Sequence, residues 1–156
     1  MRRFAFCCAA ILAGCTKSED RAAGEGFAGD TAAAAATAST TISLADVAGK
    51  WKVRSTDEAG GNVVETGLVA TADTSGWTMT SPNRKPIPVR VVAVAGDSIV
   101  TEAGPFESFI RKGVQVTTRT VSRLQDGKLV GTIEGHFATK SGDSVAHRRS
   151  EGTRAP

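Results

Sequence analysis

The chain contains no tyrosine, only two histidines, two tryptophans and two methionines, and its three cysteines, Cys7, Cys8 and Cys15, all fall within the first fifteen residues. Beyond Cys15, therefore, no disulfide and no thiolate metal site can form, and burial alone must hold the fold. No apolar run approaches the roughly twenty residues that a membrane-spanning helix needs. Glycine-rich dinucleotide or phosphate loops are missing, as is the Gly-x-Ser-x-Gly turn that presents a serine nucleophile. Nor do the cations cluster. Nineteen Lys and Arg are interspersed with sixteen acids, a pattern without the basic face that nucleic-acid binding requires. Neither nucleic acid, metal, cofactor nor enzymatic activity is expected.

What is present begins at the N-terminus. Arg2 and Arg3 precede an apolar run from Phe4 to Ala13, which ends in Leu12-Ala13-Gly14-Cys15. A basic start, about ten apolar residues and a small-residue cleavage site read as a secretory signal. The Leu-Ala-Gly-Cys ending resembles the lipobox of bacterial lipoproteins. That resemblance implies removal of residues 1–14 and lipidation of Cys15, which would carry a thioether-linked diacylglycerol and an N-acyl chain. The implied setting is the bacterial cell envelope, at the outer membrane facing the periplasm or the cell surface, with the lipid on Cys15 as membrane anchor. Loss of Arg2 and Arg3 would remove most of the formal charge of +3.

Residues 15–42 read as the lipidated cysteine and a flexible linker. Lys17 to Asp30 mixes charges, Gly and Ala, and Thr31 to Thr41 holds only Ala, Thr and Ser. Such composition buries too little apolar surface to offset ordering entropy. A flexible chain of this length spans about 28 Å, enough to hold a folded part clear of lipid headgroups.

Residues 43–156 read as one all-β domain. Alternating runs recur between turn signals: Trp51–Ser55, Asn62–Ala72, Trp77–Ser81, Val89–Ala95, Ser98–Ala103, Val114–Leu124, Leu129–Thr139 and Ser144 to about Thr153. Short turns, among them Gly96-Asp97 and Gln125-Asp126-Gly127-Lys128, join them in chain order. Eight strands so connected predict an antiparallel up-and-down barrel, whose closure removes the sheet edges.

Alternation assigns the inward side chains. Trp51, Val53 and Ser55 oppose Lys50, Lys52 and Arg54. Keeping charge outward elsewhere turns inward Val64, Thr66, Leu68 and Ala70; Trp77 and Met79; Val89, Val91 and Ala93; Ile99 and Thr101; Val116, Thr118, Thr120, Ser122 and Leu124; and Leu129, Gly131, Ile133, Gly135 and Phe137. Gly131 and Gly135, on one face, mark close packing or barrel bends. An interior this rich in small residues either packs tightly or holds one small ligand.

Gly49-Lys50-Trp51, preceded by the helical-turn sequence Ser43 to Ala48, resembles the Gly-x-Trp start of the lipocalin-like barrels; avidin-like barrels are the related small architecture. The resemblance implies that Trp51 closes one barrel end beneath the helical turn, with an arginine from the last strand stacked on it. Arg148, Arg149 and Arg154 are the candidates, and Arg149 is assigned to closure with Gly49 and Trp51. The departures are the missing Thr-Asp-Tyr turn and the absent tyrosine and disulfide, so no ligand is inherited from the resemblance.

Chemistry-bearing residues are sparse. Glu134 and His136 share an outward strand face as a solvated pair, while Glu65 and Glu102 also point outward. Phe106 and Phe109, in the short segment Gly104 to Phe109, must find apolar surroundings as a plug over the barrel end, a lid, or a contact with membrane or partner. The weak ligand-binding set is Trp77, Met79, Phe106, Phe109, Thr118 and Phe137. Two functions follow: an anchored barrel that binds or carries a small, mostly apolar molecule, or a structural or protein-interaction module of the envelope, with an envelope protein as partner and a filled core.

Overall fold

The computed structural model describes residues 41–156. The expected signal peptide at 1–14, Cys15 and nearly all of the linker lie outside the described residues. Eight strands follow one short helix: α1 (Leu44–Val47), β1 (Gly49–Asp57), β2 (Val64–Ala70), β3 (Thr78–Thr80), β4 (Ile87–Ala95), β5 (Ser98–Glu107), β6 (Gln115–Gln125), β7 (Lys128–Thr139) and β8 (Gly142–Arg154). Each strand pairs antiparallel with the next, and β8 returns to β1, closing the up-and-down barrel that the alternation predicts.

Local chemistry sets the closed end. Ser43 caps α1: its hydroxyl accepts from the Asp46 amide, while the Asp46 carboxylate takes the Ser43 amide at 2.8 Å. Ile42 falls in the expected linker, yet it is buried in the core and its amide donates to the Gly96 carbonyl at 2.9 Å. Ile42 thus belongs to the folded domain rather than to the linker. At this closed end Ile42, Val47, Trp51, Ala70, Trp77, Ile99 and Leu129 form one apolar cluster.

Three expectations of phase, loop and burial are corrected. A bulge between Val91 and Ala93 inserts a residue into β4, so Ala93 stands exposed rather than inward. The segment expected as a loop from Gly104 continues β5 to Glu107 across a second irregularity between Ala103 and Phe106. Leu124, expected inward, is 36% exposed near the strand end. Gly131 does mark close packing: a Cβ there would fall on the Val121 carbonyl and lie 3.0 Å from the Ser122 Cα of β6.

Candidate functional site

The barrel floor is built around Trp51, which is 1% exposed and donates from Nε1 to the Val47 carbonyl at 2.8 Å. Helix α1 therefore seats directly on the indole. Trp51 pairs across the sheet with Arg154, so both side chains leave the same face. The Arg154 guanidinium lies 4.5 Å from the indole centroid and donates to the carbonyls of Ala48 and Asp46 at 2.9 and 2.7 Å. Gly49 completes the closure with a φ of 135°, where a Cβ would come within 2.9 Å of Arg154 Nη1. Arg149 is not the stacking residue. It lies an odd number of positions before Arg154, hence on the outer face, and is exposed opposite Thr56.

Above this floor the interior is open in two lobes. The lower lobe, about 80 Å³, is walled by Leu68, Trp77, Ile99, Thr101, Ser122 and Leu129 among others. The upper lobe, about 100 Å³, is walled by Phe106, Phe109, Val116, Phe137 and Arg148 among others. Val53, Thr66, Met79, Thr118, Thr120 and Ile133 border both, so the lobes are neighbours along the barrel axis. Their size compares with an apolar protein cavity of about 150 Å³ that holds benzene. Large side chains stand at the two ends, and threonines and serines leave the space between.

All six ligand-binding candidates line this interior. Trp77 borders the lower lobe, Met79 and Thr118 both, and Phe106, Phe109 and Phe137 the upper one. The Phe106 and Phe109 rings meet at 5.4 Å in a tilted pair. Arg84 lies 4.7 Å over Phe109 and donates to the carbonyls of Glu107 and Ser108. Arg111 lies 4.3 Å over Phe137 and donates to Ser144 Oγ at 2.6 Å. The buried Ser108 hydroxyl accepts the amides of Ile110 and Arg111. The loop after β5 is thereby folded over the mouth as a tied cover.

Arg148 is the site residue that outward placement of charge missed. The signal was in β8 itself: counting back from Arg154 in twos gives Gly152, Ser150, Arg148, Ala146 and Ser144, a run of small residues interrupted by one arginine. Arg148 Nη2 donates to the carbonyl of Ser55 at 2.9 Å and to that of Asn62. Burial lowers its pKa, and the charge of Asp57 works in the opposite direction. Asp57 is itself held below the usual carboxylate range, chiefly by the Asn62 amide group at 2.7 Å.

The outer wall is ionic. Glu65 pairs with Lys52, and Glu102 sits between Arg90 and Arg119. Glu134 contacts His136 at 2.6 Å, with His147 at 4.0 Å from its other oxygen, all partly exposed. Among the described residues no group of three His, Cys, Asp or Glu is placed to hold a metal ion. No protein-family model, curated protein or solved structure matches the chain.

Proposed function

We propose that this protein is a lipid-anchored bacterial envelope lipoprotein, held at the outer membrane by Cys15, whose barrel binds or carries a small, mostly apolar ligand. The observation that carries the reading is the pair of adjoining lobes inside a closed barrel, walled by apolar side chains and threonine methyls and bordered by Trp77. Sites for small molecules are concave and mostly apolar with few polar groups, and these lobes have that character. The charged outer wall suits a barrel standing in water, with the lipid on Cys15 as its hold on the membrane. Ligand addition should be visible directly, because Trp51 and Trp77 are the only tryptophans of the chain and both lie in the barrel. Toluene and 1-octanol should change the tryptophan fluorescence of the full chain saturably, and Thr120→Leu, which fills the shared wall, should weaken that response. An unsaturable response identical in both chains would refute the reading. A filled structural or protein-interaction module is the second reading, favoured by the tied cover over the mouth; it gives no saturable response.

A further inference from the structure

We propose that the ligand is an amphiphile with an anionic head group, carboxylate or phosphate, whose single apolar tail occupies the two lobes while the head rests at the mouth against Arg148. This rests on the ligand-binding reading above and specifies its chemistry.

The first support is the interior itself. Among the described residues, Arg148 is the one charged side chain lining either lobe. Its Nη2 and Nε are engaged by Ser55 and Asn62, which fix the guanidinium plane. Among the described residues Nη1 has no hydrogen-bond partner, and it is not sealed from solvent. Asp57 stands across the sheet from Arg148, but its carboxylate is turned to the Gly61 amide and the Asn62 side chain, both at 2.7 Å. Arg148 therefore forms no ion pair with it, and neither Arg84 nor Arg111 has a carboxylate partner among the described residues. Lys52, Arg90, Arg119, Arg123 and Lys128, on the outer wall and near its lower rim, do have one, whereas Arg54 and Arg149 on that wall do not among the described residues. Three guanidinium groups with no carboxylate at ion-pair distance thus surround the aromatic mouth of an apolar cavity, and the Asp57 charge acts on Arg148 from farther off. Guanidinium is the side chain whose donor geometry fits carboxylate and phosphate oxygens.

The second support is independent of side-chain geometry. The loops at the mouth and the strand ends that adjoin them hold Arg84, Lys85, Arg111, Lys112 and Lys140 against Asp57, Glu58, Glu107 and Asp143. Those at the opposite end hold Asp73, Asp97 and Asp126, with Lys128 adjoining the last. The mouth thus carries a small cationic excess over the opposite end, a modest bias toward anions. A cationic amphiphile would meet repulsion there, and an uncharged alcohol would accept at most one hydrogen bond from Arg148, without the charge that strengthens a carboxylate or phosphate contact.

The test uses the full chain in nanodiscs of zwitterionic phosphatidylcholine, read by tryptophan fluorescence with four probes of equal tail length: octanoate, octyl phosphate, 1-octanol and octylammonium. At least one anion should bind about tenfold or more tightly than 1-octanol, as a charge-assisted hydrogen bond gives, and octylammonium should bind most weakly. Which anion leads identifies the head group. Arg148→Gln should bring the ratio of anion to alcohol affinity close to one, and Arg148→Lys should restore most of it. Equal binding of anions and 1-octanol by the parent chain would overturn the proposal while leaving the ligand-binding reading intact; so would an unchanged ratio in Arg148→Gln. Binding of no probe at all would overturn both. Should Arg148→Gln fail to fold, the parent comparison and Arg148→Lys still decide.

Discussion

Trp51 and Arg154 are direct cross-strand partners at the seam where the last strand closes on the first, and the guanidinium of one covers the indole of the other at 4.5 Å. The same guanidinium holds two carbonyls at the end of α1, so one side chain ties strand β8, strand β1 and the helix together. Replacing it should loosen the floor. Arg154→Ala is expected to cost about 1–3 kcal/mol, combining an exposed cation–π contact with two charge-assisted hydrogen bonds. Arg149→Ala, on the outer face of the same strand, should stay within about 0.5 kcal/mol. Urea melts of the two variants check this, and equal losses would contradict the assignment.

Trp51→Ala should destabilise the barrel by about 3–5 kcal/mol, because it deletes a fully buried aromatic and leaves the Val47 carbonyl without its donor. Lys52→Ala should change stability by no more than about 0.5 kcal/mol, since the exposed Lys52–Glu65 pair contributes little. Thermal melts measure both.

Gly131→Ala tests the closeness of β6 and β7. A Cβ at this position would be driven into the Val121 carbonyl and the Ser122 backbone, and backbone cannot rotate away as a flexible side chain can. A loss of about 1–3 kcal/mol in urea is expected, the scale of overpacking. Gly127→Ala, where nothing lies within 4 Å of the added carbon, separates steric from conformational cost, because its φ of 74° charges only the latter.

Acid should destabilise the barrel through its capping and turn carboxylates. Asp46 is held below its ordinary pKa by the Ser43 hydroxyl and amide, Asp57 chiefly by the Asn62 side chain, and Asp73 by the Ser75 amide and then its hydroxyl. Each is more acidic folded than unfolded. Their contribution is therefore complete above the unfolded carboxylate pKa of about 3.9 and is lost as pH falls through the lowered folded values. The melting midpoint should stay level from about pH 7 to 5 and fall below about pH 4. A variant with Asn at all three positions should melt lower at neutral pH and lose less on acidification.

Anchoring is tested separately. Cys15→Ser removes the thiol that the lipobox resemblance makes the acyl acceptor, so the full-length variant should leave the detergent-dependent membrane fraction. Several acyl chains anchor durably where one does not.

The barrel was legible because period-two alternation and turn residues recur through the chain, and charge marks the outer phase clearly at Lys52, Arg54, Arg119 and Arg123. Four of the six cavity candidates, Trp77, Met79, Thr118 and Phe137, followed from that phase, and Phe106 and Phe109 from the one apolar loop. Where the sequence misled, the pattern was chemically silent. From Val89 to Ala95 every residue except Arg90 is apolar, so no polar residue betrays the bulge that turned Ala93 outward. Arg149 and Arg154 differ only by an odd count along one strand, and the register that decides between them belongs to the tertiary pairing of β8 with β1. Arg148 broke the rule that charge faces out because, close to the rim, backbone carbonyls of Ser55 and Asn62 are within reach of its donors. Phe106 was expected in a loop because Gly104 and Pro105 punctuate the sequence there; β5 instead resumes after the irregularity.

The occupancy of the barrel is the central claim, and native mass spectrometry of the full-length protein extracted from its own membranes tests it most directly. The account predicts a discrete, stoichiometric mass above that of the lipidated chain, diminished in Thr120→Leu, whose added volume intrudes on both lobes. Spectra in which parent and Thr120→Leu carry the same mass above their own chains, or none, would contradict it.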